Sequence, residues 1–368
     1  MSFSIRALAT PGVRALSPYQ PGKPLAELER EYGITGAIKL ASNENPLGPS
    51  PLGIAAAREA LAEVELYPDS HGFALKQALS AALAVGADQL VLGNGSNEVL
   101  QLVARAFVGP GDEVVVAQYA FAIFTTVAVS AGGRVVTGPA RDWGADLPAM
   151  RAAVTERTRV VFIANPNNPT GTWHRATELL AFLESLPAHV VVVLDEAYCE
   201  YVSEPDYPNG LAWLTRFPNL IVSRTFSKIY GLAGLRLGYG VASVEMADLL
   251  NRLREPFAVN NLALAAGVAA LADHAHVERA RQLNAQGLAQ LADACGRLGL
   301  DFIPSVGNFI AVDVGRPAGP VYEALLRAGI IVRPLAPYGM PQHLRITIGT
   351  PEQMQRLLAA LPGALVAR

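Results

Sequence analysis

The chain is poor in cysteine and in charge. Its 368 residues include only two cysteines, Cys199 and Cys295, which can supply neither a disulfide framework nor a cysteine-based zinc site. Charged residues make up 17% of the chain and the formal net charge is −3, so the basic field that nucleic-acid binding requires is absent. The 51% share of hydrophobic residues is nevertheless sufficient for a large buried core.

Long apolar runs are also missing. The longest run, residues 262–272, is too short to cross a bilayer. The first 14 residues contain Arg6 and Arg14 without an apolar segment between them, so we expect no secretion signal. These features predict a cytoplasmic protein with neither a membrane nor a nucleic-acid partner.

Lysine is the scarcest of the common charged residues. Of 29 basic residues, only Lys23, Lys39, Lys76 and Lys228 are lysines, and Lys228 alone lies beyond residue 76. A primary amine can lose its proton and react with a carbonyl group, whereas a guanidinium stays charged. Lys228 is therefore a candidate reactive residue.

Helical and strand patterns alternate between about residues 50 and 260. The helical patterns fall at 54–64, 73–83, 97–107, 121–130 and 176–185, and short β-branched runs fall at 113–116, 134–136, 159–163, 190–194 and 220–222. The runs are apolar throughout, which is typical of parallel strands covered by helices on both faces. The pattern predicts an α/β fold with a mainly parallel sheet.

The ends of the chain have a different character. Residues 1–45 are rich in proline and glycine and predict an irregular arm that joins a small domain. A large domain is expected over 46–260, and a small C-terminal α+β domain over 261–368. This last domain would open with a linking helix at about 262–298.

Three predicted strands end in polar residues. The run at 159–163 leads into Asn-Pro-Asn-Asn-Pro-Thr-Gly at 165–171, the run at 190–194 leads into Asp195-Glu-Ala-Tyr198, and the run at 220–222 leads to Ser227-Lys228 with Arg236 downstream. Ligands bind beyond the carboxyl ends of such strands. A fourth strand ends in Gly93-Asn-Gly95 before a helix that starts near Ser96, where free backbone N–H groups favour an anion.

An amine, a buried acid and an anion site are what a phosphorylated pyridine aldehyde requires. On these residues, together with Ser17–Pro24, Leu40–Pro46, Tyr67-Pro-Asp69 and Leu344–Thr347, the sequence resembles the fold-type I pyridoxal-phosphate-dependent aminotransferases. Within them it is most similar to the histidinol-phosphate aminotransferase family. The resemblance implies a large domain with a mainly parallel sheet flanked by helices, plus a small α+β domain.

The resemblance implies a role for each residue around pyridoxal 5′-phosphate. Lys228 would bind the cofactor and move the proton, Asp195 would pair with the ring nitrogen, and Asn165 and Tyr198 would bond the ring hydroxyl. The phosphate would contact Ser96, Asn97, Thr225, Ser227 and Arg236. Tyr67 would reach the phosphate of a neighbouring subunit, which makes a homodimer the expected unit.

The substrate side is implied in the same way. Arg345 would bind the anionic end of the substrate with Arg333 beside it, and Tyr19, Asn43 and Asn45 would line the pocket. Phe121 is the expected ring that stacks on the cofactor, with Tyr119 as the alternative. His274 and His276 lie two apart on a helical pattern and do not face each other, so no metal site is expected.

The implied reaction is ping-pong transamination of histidinol phosphate with 2-oxoglutarate in histidine biosynthesis. The alternatives are an aromatic amino acid aminotransferase, because a phenyl and an imidazole ring are similar in shape, and a phosphothreonine decarboxylase. A cofactor-sensing regulator is disfavoured, since no helix-turn-helix pattern or basic patch precedes the predicted fold.

Overall fold

The computed structural model describes residues 4–18 and 22–366, so the predicted substrate residue Tyr19 lies outside the described residues. The helices are α1 (Ile5–Leu8), α2 (Pro11–Ala15), α3 (Leu25–Tyr32), α4 (Pro51–Ala60), α5 (Phe73–Leu83), α6 (Ser96–Phe107), α7 (Ala122–Ser130), α8 (Leu147–Ala152), α9 (Ala176–Ser185), α10 (Val244–Leu253), α11 (Asn261–Leu271), α12 (His274–Leu298), α13 (Ala318–Arg327) and α14 (Pro351–Val366). The strands are β1 (Ile38–Lys39), β2 (Leu90–Asn94), β3 (Glu113–Ala117), β4 (Arg134–Gly138), β5 (Ala140–Arg141), β6 (Gly144–Ala145), β7 (Thr158–Ala164), β8 (Val191–Asp195), β9 (Leu220–Thr225), β10 (Leu237–Val241), β11 (Phe302–Ile303), β12 (Phe309–Asp313), β13 (Ile330–Ile331), β14 (Arg333–Pro334) and β15 (His343–Thr347).

Seven of the described strands form the main sheet, in the order β2-β10-β9-β8-β7-β3-β4. All neighbours from β9 to β4 pair in parallel, whereas β10 runs antiparallel to both β2 and β9. The central strands β3, β7, β8 and β9 are almost wholly buried, as their unbroken apolar sequences predict. The carboxyl ends of β2, β9, β8, β7 and β3 consequently meet at one edge of the sheet.

A smaller sheet, in the order β11-β12-β15-β14, forms a second layer with α12, α13 and α14. The arm joins this unit, because β1 pairs in parallel with β13 and Leu28 of α3 is buried against Leu326 and Ile331. The consecutive short strands β13 and β14 belong to two different sheets, since β13 bonds the arm and β14 bonds β15.

The expected linking helix over 262–298 is wrong, because the chain breaks between α11 and α12. Asp273 accepts a hydrogen bond from His276 N at 3.1 Å and so caps a new helix. Helix α11 packs on α4 and α5, and its Ala263, Ala266 and Ala270 belong to the core of the large domain. The structure thus places α11 with the large domain, whereas the expected boundary after residue 260 places it with the small one.

The two chain segments that connect the large and small units, just before α4 and just before α12, lie side by side. Ser50 caps α4, accepting a hydrogen bond from Gly53 N at 3.1 Å, and Asp273 caps α12. The Ser50 hydroxyl also donates to Asp273 Oδ2 at 2.7 Å, so the two capping side chains are bonded to each other. Substituting one such cap with alanine typically costs about 1 kcal/mol.

No helix in the described part of the chain combines the length and apolar character needed to cross a membrane.

Candidate active site

The strand ends at the carboxyl edge of the main sheet surround a cavity of about 250 Å³. Its walls include twelve of the residues singled out from the sequence: Asn43, Ser96, Asn97, Phe121, Asp195, Tyr198, Thr225, Ser227, Lys228, Arg236, Arg333 and Arg345. Residues separated by up to 300 positions are therefore brought into one pocket. The large unit supplies most of them, and the small unit supplies the two arginines of β14 and β15.

Asp195 is the last residue of β8 and is 4% exposed. Its Oδ1 has no hydrogen-bond partner among the described residues. Burial raises the pKa of this carboxyl from its ordinary 3.8 to about 7, although the backbone N–H of Ala197 and the charge of Lys228 both act to lower it. A buried carboxyl group whose Oδ1 still lacks a partner among the described residues fits a cationic N–H donor placed in the cavity.

Lys228 follows β9 and extends its amine into the same cavity. Its Nζ lies 3.4 Å from the backbone oxygen of Ser42 and 5.5 Å from the centre of the Tyr198 ring. The Tyr198 hydroxyl accepts hydrogen bonds from Asn43 Nδ2 at 2.8 Å and Asn168 Nδ2 at 3.3 Å. Amine, phenol and two amides thus meet in one buried cluster.

The start of α6 forms an anion cradle. Gly95 adopts a φ of 81°, and a Cβ atom there would come within 2.2 Å of Arg236 Nη2. Only glycine therefore permits this turn while the guanidinium lies over the helix start. Arg236 Nη1 bonds Ala233 O at 3.0 Å and approaches Ser227 Oγ at 3.4 Å. The positive end of α6, the hydroxyls and the guanidinium fit a phosphate.

Arg345 is a buried arginine that spans the two units. Its guanidinium donates to Asn168 Oδ1 and to Ala41 O, the latter at 2.8 Å, and lies 5.2 Å from the Phe309 ring centre. Arg333 is its partner in the β14–β15 pairing. Two adjacent guanidinium groups give this side of the cavity a strong preference for anions.

Three predicted residues lie outside the cavity wall. The amide of Asn165 is engaged by His174, donating to its backbone oxygen at 3.2 Å and accepting from its N–H at 2.8 Å. Asn45 donates to Ile229 O at 2.7 Å and accepts from Leu47 N at 3.0 Å. Tyr67 is 82% exposed and stacks on Phe257. In the described structure the side chains of Asn165 and Asn45 therefore bond loop backbone.

Asn168 lines the cavity, although the sequence analysis assigned it no role. It occurs in the same loop as Asn165, and both precede a proline. The structure gives Asn168 the contacts to Tyr198 and Arg345, while Asn165 stays turned toward the backbone of His174. The available sequence signal was its place directly before Pro-Thr-Gly, three residues before the glycine that ends the loop. The cavity wall also contains Tyr338 and Glu44, for which no motif pointed to a role.

Of the two aromatic candidates, Phe121 lines the cavity, packing edge-on against Phe124 with ring centres 5.9 Å apart. Tyr119 lies outside the wall and contacts Trp143. Within the described ranges, no group of three or more histidine, cysteine or acidic residues is arranged to hold a metal ion.

A lysine, a buried carboxylate and an anion cradle at the carboxyl edge of a mainly parallel sheet form the arrangement that the family resemblance predicted. The chain belongs to the family of class I and II aminotransferases, whose model matches residues 35–361. Two curated relatives carry the name histidinol-phosphate aminotransferase. The one from Pseudomonas aeruginosa is 59% identical over 359 residues, covering 96% of this chain and 97% of its own. The one from Nitrosococcus oceani is 56% identical, covering 97% of both chains.

Solved structures agree. Histidinol-phosphate aminotransferase from Sinorhizobium meliloti, determined in complex with pyridoxal 5′-phosphate, is 33% identical with a TM-score of 0.90, covering 99% of this chain and 98% of its own. Aspartate aminotransferase from Thermus thermophilus shares the fold, with a TM-score of 0.83 at 23% identity over 97% of this chain and 99% of its own. These comparisons confirm the fold-type I architecture and the aminotransferase family predicted from the sequence.

Proposed function

We propose that the protein catalyses the reversible transamination of L-histidinol phosphate with 2-oxoglutarate, giving imidazole acetol phosphate and glutamate, as a step of histidine biosynthesis. The observation that carries the proposal is the identity of more than 55% to relatives of that name over nearly the whole chain. The adjacent guanidinium groups of Arg333 and Arg345 support it, since one substrate is a phosphate and the other a dicarboxylate.

The cofactor would be pyridoxal 5′-phosphate, and two observations on this chain fit it. Asp195 carries a buried oxygen without a partner, which suits the ring N–H, and the cradle at Gly95, Ser96 and Arg236 suits the phosphate. Asn97, Thr225 and Ser227 line the same end of the cavity, and Phe121 lines its wall. When bound, this cofactor supplies an aldehyde for the amine and a sink for the electrons released from the substrate carbon.

The roles of the protein groups follow from their positions. Lys228 would hold the cofactor and carry the proton between substrate carbon and cofactor carbon, because its amine is the one lysine nitrogen in the cavity wall. Tyr198 and Asn168 would bond the ring hydroxyl. Asp195 would keep the ring nitrogen protonated by supplying a charge that burial prevents water from screening.

A homodimer is the proposed functional unit. Tyr67 and its stacking partner Phe257 lie on the surface, as do Leu61, Val64 and Leu66 nearby in sequence. Exposed aromatic and aliphatic side chains of this kind favour contact with a second copy of the chain. A holoprotein that sediments as single chains at micromolar concentration would contradict this.

We also propose that the protein works in the cytoplasm, where its two free cysteines stay reduced.

We expect Asn168→Ala to lower kcat/KM by about tenfold to a hundredfold, because it removes a donor to the Tyr198–cofactor cluster and a partner of Arg345. The visible spectrum of the bound cofactor should shift as well. Asn165→Ala is the matched variant, since it removes the same amide from the same loop. It should lower the melting temperature, and it should leave the spectrum of the folded holoprotein unchanged. The opposite pattern would return the ring-binding role to Asn165.

The proposed substrate is tested by a half-reaction with the holoprotein. L-Histidinol phosphate, L-phenylalanine and L-phosphothreonine are mixed with it separately, and loss of the visible absorbance of the lysine-bound cofactor is followed together with the product. We expect fast conversion with histidinol phosphate alone, because only that substrate offers both an imidazole ring and a phosphate to the arginine pair. Equal conversion with phenylalanine would make the protein an aromatic aminotransferase, and carbon dioxide released from phosphothreonine would make it a decarboxylase.

A further inference from the structure

The hairpin of β5 and β6 ends in an unusual turn. Its two connecting residues, Asp142 and Trp143, have φ angles of 50° and 65°. Two-residue hairpin turns with both φ values positive favour asparagine and glycine, and a bulky side chain in this region is a conformational outlier. Trp143 is also 38% exposed, so burial of its ring does not by itself explain its presence. Strain that persists at such a position points to a role.

The Trp143 ring joins the two units of the protein. It lies 5.4 Å, centre to centre, from Tyr119, which follows β3 of the main sheet. It also lies 4.8 Å, centre to centre, from the ring of His343, the first residue of β15 in the small sheet. A glycine or asparagine in the turn would fit the backbone better, but it would reach neither ring.

The large-unit side of this contact is fixed to the active-site loop. Asn167 Nδ2 donates to the backbone oxygen of Tyr119 at 2.8 Å and to Thr170 Oγ1 at 2.8 Å. Asn167 is the neighbour of Asn168, which bonds Arg345. Tyr119 is therefore tied to the segment that forms the cavity wall.

The small-unit side carries the substrate arginine. His343 and Arg345 lie two residues apart on β15, so they point to the same face of the strand. His343 is 5% exposed and faces Asp313 at 3.9 Å, which holds it within the sheet. The Trp143 ring thus presses on the face of β15 from which Arg345 extends.

We propose that Trp143 is a positioning residue, whose ring holds β15 against the main sheet so that Arg345 stays at the distance from Lys228 and Asp195 that an anionic substrate requires. The proposal rests on the proposed function in assigning the anion to Arg345. It explains why a strained turn carries the largest side chain available. Trp143 lies outside the cavity wall of the described structure, so it would act through His343 and Tyr119.

The test compares Trp143→Gly and Trp143→Ala with Asp142→Gly and Trp143→Phe in the holoprotein. Phenyl phosphate, which has no amine to transfer, is titrated and its Kd is read from the cofactor spectrum, so binding is measured without turnover. We expect Kd and the KM for histidinol phosphate to rise about fivefold or more in the Gly and Ala variants, with kcat changing less. Asp142→Gly relieves strain in the same turn but keeps the ring, so it should bind as the wild type does, and Trp143→Phe should bind nearly as well.

The outcomes separate the two proposals. If Arg345→Gln leaves the Kd for phenyl phosphate unchanged, the assignment of the anion to Arg345 fails. If Arg345→Gln weakens binding but the Trp143 variants bind like the wild type, the positioning role is overturned, even when their melting temperature falls. Equal weakening by Asp142→Gly would also overturn it, because the effect would then belong to the turn and not to the ring.

Discussion

Lys228→Ala should lower kcat by at least about 10⁴-fold, because it removes both the amine that holds the cofactor and the group that moves the proton. In the described part of the chain the other three lysines, Lys23, Lys39 and Lys76, lie outside the cavity wall and are not placed to replace it. The visible absorbance of the lysine-bound cofactor should disappear in the same variant. Stopped-flow absorbance with histidinol phosphate and steady-state turnover measure the two losses separately.

Lys76→Ala is the control for this experiment. Lys76 is half-buried on α5, and burial lowers the pKa of its amine, so it matches Lys228 in chemistry but not in position. It should keep the spectrum and the turnover of the wild type. A Lys228→Ala protein that retains the absorbance band would show that another group binds the cofactor.

Asp195→Asn should have the second-largest effect, a loss of about 10³-fold in kcat, because the isosteric amide cannot supply the charge that keeps the ring nitrogen protonated. The change keeps the volume of the side chain, so the fold should persist. Cofactor affinity should fall as well, and equilibrium dialysis measures it. Asn168→Ala, which alters the opposite edge of the cavity, should reduce turnover much less.

The same carboxyl predicts a pH dependence in the protein without cofactor. Its pKa is about 7 when folded against an ordinary 3.8, so the native state keeps the proton longer than the unfolded state as pH rises. The free energy of unfolding should therefore decrease as the pH rises from 3.8 to about 7, and this decrease should be absent in Asp195→Asn. Cofactor binding should restore more stability at pH 8 than at pH 5. Melting curves that respond to pH identically in both proteins would contradict the assignment.

The sequence predicted those features that local patterns determine. Helices α5 and α9 begin and end where the patterns place them, and the strand that ends at Asp195 and the segment that ends at Lys228 lie where their apolar runs predict. A parallel sheet then brings these ends to one edge, because parallel strands share a direction. The family resemblance added the chemistry, and the comparisons confirm the family.

Features that depend on the path of the chain could not be read in this way. Asn165 and Asn168 have nearly the same local sequence, and only the folded loop shows that one amide faces His174 and the other faces Tyr198. The contact between Trp143 and His343 joins residues 200 positions apart, so no local sequence pattern predicts it. The break before α12 did have a local signal, the capping Asp273, within an otherwise helical composition.

The bonded caps Ser50 and Asp273 have a mechanical consequence. Two connecting segments that cross between the units at separate points would leave the units free to shear or twist. Here the two crossings are joined to each other by one hydrogen bond of 2.7 Å. The bond therefore restrains the two units from sliding past each other at this point. Any displacement of the small unit would carry β14 and β15 together, because both strands belong to its sheet.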